Sequence, residues 1–106
     1  MALAAKSVGP FMGVTKDKVV EKGGRNFRLV LYGAYNAFGL IGSECNGIAV
    51  LDEDRKDVVL DEEAKIPSGY YGPSESQKKR FKEIRTMTWE DFRAWVNAHP
   101  RRRHEI

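Results

Sequence analysis

Lys78, Lys79, Lys82 and Arg85 are the residues of this chain whose type and spacing could do chemistry together. Taking about 100° per residue and Phe81 as zero, Arg85 falls near 40°, Lys78 near 60°, Lys82 near 100° and Lys79 near 160°. Four cations thus share one flank of a helix, and Arg80 stands on the opposite flank. Arg101, Arg102 and Arg103 follow a second helical stretch. Cations in such an array neutralise phosphates and release condensed counterions. Tyr70 and Tyr71, ahead of the first helix, could stack on unpaired bases or against a protein partner. The plainer reading of the same residues is a solvated helix face with a solvated basic tail.

Other reactive types are sparse. One Cys and two His cannot make a closed zinc set, and His99 and His104 flank Pro100 and an arginine run. The acidic run from Asp52 to Asp57 superficially resembles a calcium loop. It lacks the glycine and glutamate that an EF-hand needs at its sixth and twelfth positions, and it contains Arg55 and Lys56. A charged hairpin loop accounts for it better. Cys45 follows Glu44, and a neighbouring carboxylate raises a thiol pKa. No Gly-x-Ser-x-Gly elbow or phosphate-cradling glycine motif occurs, and Gly23-Gly24 reads as a turn. No catalytic residue, metal or cofactor is therefore assigned, and the chain reads as a non-enzyme.

Charge is unevenly distributed. The 106 residues carry a net charge of +3, but residues 52–65 hold seven acidic and three basic groups. Residues 66–106 hold nine basic and five acidic groups. An acidic island thus precedes a basic end, and it would repel nucleic acid wherever it lies close. A single cysteine excludes a disulfide within the chain and favours the reducing cytosol. The opening residues lack the charge and apolar run of a signal peptide. No apolar stretch approaches the roughly 20 residues of a membrane-spanning helix.

These side chains need elements to hold them. Residues 1–15, rich in small residues, read as a loosely ordered arm pinned by Phe11 and Met12. Residues 16–106 read as a single α+β domain. Phe27, Leu29 and Leu31 alternate with Arg28, Val30 and Tyr32, so both faces of this strand carry large apolar groups, as in a central strand. Lys18–Val20 pairs with it as a hairpin. Residues 48–51 and 58–60 form a second hairpin, and Phe38–Ile41 is a further strand candidate. Prolines and glycines between Ile66 and Pro73 interrupt regular structure.

A helix over about 74–86 starts at Ser74, which has capping-box spacing to Gln77. A helix over about 89–98 starts after Thr88, with Met87 and Phe92 at staple positions. Pro100 ends it. The expected architecture is a small, mostly antiparallel sheet of four or five strands (residues 16–60) covered by these two helices. Phe81, Ile84, Phe92 and Trp95 would meet the apolar side of the Phe27–Tyr32 strand.

Two functions fit. The first is a non-catalytic module docking on nucleic acid or a nucleoprotein through Lys78, Lys79, Lys82, Arg85, Arg101, Arg102 and Arg103, with Tyr70 and Tyr71 stacking. The second is a protein-binding accessory factor that uses Trp89, Tyr70, Tyr71 and the acidic hairpin at 52–63, since aromatic residues dominate protein interfaces.

Overall fold

The computed structural model describes residues 7–12, 14–33, 45–65 and 75–106. Its elements run β1 (Ser7–Val8), β2 (Phe11–Met12), β3 (Val14–Lys22), β4 (Arg25–Gly33), β5 (Cys45–Asp52), β6 (Asp57–Lys65), α1 (Glu75–Thr86) and α2 (Trp89–Ala98). β3 to β6 form one antiparallel sheet in sequence order, and β1 and β2 form a separate two-residue ladder. Strands first and helices last gives the expected α+β arrangement, with both helices on one face of the sheet. Among the described residues, no helix is long and apolar enough to cross a membrane.

The alternation in β4 organises both faces. Phe27, Leu29 and Leu31 join Ile48, Val50, Phe81, Ile84, Phe92 and Val96 in the core beneath the helices. Trp95 packs at the edge of that core, half-buried. Val30 and Tyr32 join Phe11, Val14, Ala49 and Leu51 on the other face. The rings of Phe27 and Phe92 are fully buried, and each burial stabilises the fold by about 1.5–3 kcal/mol. Phe11 packs its ring 4.8 Å from that of Tyr32. Tyr32 in turn donates to Asp61 Oδ1 at 2.5 Å.

The sheet is longer than the apolar runs indicate. β3 starts at Val14, ahead of Lys16, and β6 continues to Lys65, beyond Leu60. The acidic residues Asp61, Glu62 and Glu63 keep pairing with Ala49, Ile48 and Gly47, because ladder hydrogen bonds are made by the backbone whatever the side chain. The strand candidate Phe38–Ile41 and the Ser74 cap lie outside the described residues.

Two turns and one cap fix the frame. Lys22 and Arg25 are joined through Gly23 (φ 61°) and Gly24 (φ 75°), a two-residue hairpin that needs left-handed backbone at both positions. Thr88 caps α2, its Oγ1 accepting from the Asp91 amide at 3.2 Å. Lys22 is buried, and its Nζ donates to the carbonyls of Arg85 (3.1 Å) and Met87. The ammonium thereby satisfies carbonyls that the end of α1 leaves unpaired. Burial pushes the Lys22 pKa down.

Candidate anion-binding surface

α1 turns Gln77, Phe81 and Ile84 inward. That leaves Lys78, Lys79 and Lys82 exposed and Arg85 half-buried at the margin. Lys78 bridges Glu75 one turn back at 3.0 Å. The side chains of Lys79, Lys82 and Arg85 have no carboxylate partner among the described residues.

The opposite flank of α1 is fully engaged. Arg80 donates to Glu62 through Nε at 2.5 Å and Nη2 at 2.8 Å, and its guanidinium lies 5.7 Å from the Trp95 ring. His99 Nε2 meets the same carboxylate at 2.8 Å, while His99 Nδ1 accepts from the Arg101 amide at 3.0 Å. That second bond places the ring proton on Nε2, where it donates to Glu62. Burial pushes the Glu62 carboxyl up, but the hydrogen bonds from Arg80 and His99 outweigh it and the net pKa is lowered. Arg80, Glu62 and His99 thus tie α1, β6 and the end of α2 together.

The tail arginines belong to that same side. The Arg103 amide donates to the Val59 carbonyl at 2.7 Å, and Arg102 bridges Leu60, so the tail covers part of the β6 edge. An open strand edge offers unpaired backbone groups, and this contact blunts it. Arg101 Nε donates to the Asp61 carbonyl at 3.1 Å, and Arg102 reaches Glu105 at 3.5 Å. Asn97 holds the Ile106 amide at 2.8 Å, and Ile106 packs against the helix-side core. Arg80 stands about 160° around α1 from Lys82. Since Arg80 faces Glu62 and Trp95, the lysine flank turns away from α2 and the tail. Lys78, Lys79, Lys82 and Arg85 come together, and Arg101, Arg102 and Arg103 stand apart from them.

Trp89 is half-buried, its ring stacked 6.4 Å from that of Phe27 and lying over Gly23. Tyr70 and Tyr71 lie outside the described residues. Val19 is the one large hydrophobic residue that is exposed among those described.

Part of the acidic island is neutralised. Asp52 is buried; its Oδ2 accepts from Arg25 at 3.0 Å, and its Oδ1 accepts from the amides of Asp54 and Arg55. Glu53 takes a two-pronged grip from Arg28, at 2.9 and 3.0 Å, and Lys56 adds a bond at 3.0 Å. Arg28 also holds Asp17 at 2.6 Å. Asp52, Glu53 and Glu62 are thus held by cations, while Asp54 and Asp57 have no cation partner among the described residues.

Those bonds set a pH dependence. Hydrogen bonds from Arg28 and Lys56 lower the Glu53 pKa from 4.5 to about 2. A carboxylate depressed in the folded state adds stability above its unfolded pKa and loses it as pH falls toward the folded one. Allowing for partial solvent screening, Glu53→Gln should cost on the order of 1–2 kcal/mol at neutral pH. The difference from the parent should shrink between pH 4.5 and about 2, as read by denaturant unfolding at several pH values. A difference independent of pH would contradict this account.

Two more cations belong to the helix side of the sheet. Lys18 pairs with Leu29 and Lys16 with Leu31, and both leucines point under the helices. Directly paired residues share a face, so Lys16 and Lys18 point to the helix side of the exposed strand β3. Sequence reading missed them, although the period of two from Lys16 through Lys18 and Val20 to Lys22 is the signal. Compared with family models, curated proteins and solved structures, the chain matches none.

Proposed function

We propose that this chain is a non-catalytic binding protein of the cytosol that docks on nucleic acid or a nucleoprotein through the basic flank of α1. The observation that carries the reading is the group of exposed Lys79 and Lys82 with half-buried Arg85, none of which has a neutralising carboxylate among the described residues. Arg25, Arg28, Arg80 and Arg102, by contrast, each hold a carboxylate. A cation left without a partner beside similar cations is repelled by them, and a polyphosphate relieves that repulsion. The protein-binding alternative draws on Trp89, whose ring is already stacked within the fold, and it has less support.

Binding to a mixed-sequence oligonucleotide should fall linearly in log affinity against log salt, with a slope of at least about −3 for three or four phosphate contacts. Affinity should drop roughly 50- to 100-fold between about 50 and 200 mM salt. Fluorescence anisotropy measures this. Affinity that ignores ionic strength rules the reading out.

A further inference from the structure

Resting on the reading above, we infer that the nucleic-acid surface is composite: α1 supplies one row of cations and the edge strand β3 supplies a second, Lys16 and Lys18. The two rows follow from separate observations. The helical row is set by the burial of Gln77, Phe81 and Ile84. The strand row is set by register, since Lys16 and Lys18 lie opposite Leu31 and Leu29 on the face that the helices cover.

The rows lie on the same side of the molecule. Lys22 of β3 holds the carbonyl of Arg85, which fixes the end of α1 beside β3. Arg80 points the other flank of α1 toward β6 and α2, so the flank with Lys78, Lys82 and Arg85 faces the β3 side. Lys16 and Lys18 are exposed and have no carboxylate partner among the described residues. The acidic neighbours Asp17 and Glu21 alternate onto the other face, where Asp17 is held by Arg28. Within a strand, residues two apart stand about 6.5–7 Å from one another. β3 thus presents a short cationic row beside the helical one, and the occupant that matches it in charge is the phosphodiester backbone of a nucleic acid.

The test compares Lys16→Gln/Lys18→Gln with Arg55→Gln/Lys56→Gln, which removes the same two charges from the β5–β6 turn. The probe is a mixed-sequence oligonucleotide, double- and single-stranded, titrated at several salt concentrations. The β3 variant should lower the magnitude of the salt slope by about 2, one for each lost phosphate contact. The control should keep the parent slope, and both should remain folded at the assay temperature. A parent-like slope in the β3 variant, with binding still lost in a charge-reversed α1, overturns the composite surface and leaves the α1 reading intact. The same parent-like slope accompanied by new self-association would assign Lys16 and Lys18 to guarding the strand edge, and also overturns it. A parent chain that binds neither oligonucleotide in a salt-dependent way overturns both proposals.

Discussion

Gly23→Ala should destabilise the protein by about 2–4 kcal/mol, whereas Gly24→Ala should cost only about 1 kcal/mol. Both glycines have positive φ, at 61° and 75°, so both substitutions carry the cost of a side chain in left-handed backbone. They differ in what the new methyl group meets. At Gly24 nothing lies within 4 Å. At Gly23 the methyl carbon would sit 2.5 Å from two atoms of the Trp89 ring, inside any tolerable contact. Trp89 opens α2 and stacks on Phe27, so it cannot retreat without loosening the helix from the core. The excess cost at position 23 should therefore disappear in a Trp89→Ala background. A double-mutant cycle read by chemical denaturation isolates that coupling. Equal costs for the two alanines in the parent chain would show that Trp89 is free to move, and would return it to consideration as a contact for a partner.

The turn also marks how far the sequence was legible. The β4 alternation, both hairpins, the Thr88 cap and the inward-facing Phe81, Ile84 and Phe92 follow from local spacing and from periods of two and 3.6. The ion pairs do not. Arg80 and Glu62, or Arg28 and Glu53, are far apart along the chain and meet only because the sheet order and helix placement bring them together. The acidic island therefore looked like a uniform source of repulsion in the sequence, while in the fold Asp52, Glu53 and Glu62 are held by arginines. The tail shows the same limit. Its three arginines are exposed, as their type suggests, but the backbone bond that Arg103 gives the β6 edge could not be read from the sequence. Lys16 and Lys18 escaped notice because the strand was read from its apolar residues. Their facing became visible only through their partners in β4.

The largest functional effect should come from reversing the charge of α1. Lys79→Glu/Lys82→Glu removes two phosphate contacts and replaces them with two repulsions. Affinity for an oligonucleotide at low salt should fall on the order of 100-fold. Stability should change little, because both side chains are exposed and surface substitutions stay within about 0.5 kcal/mol. The carboxylate introduced at position 79 would stand one turn from Glu75 and Glu83, a small like-charge penalty. The carboxylate introduced at position 82 would stand one turn after Lys78, an opposite-charge pair that offsets it. The variant should therefore separate binding from folding.

The affinity ratio of the parent to this double variant, measured by anisotropy at low salt alongside their melting curves, tests the basic flank most directly. The account requires a loss near 100-fold with superimposable melting curves. Equal affinities for the two folded proteins would contradict it, because they would mean that the lysines of α1 touch no phosphate.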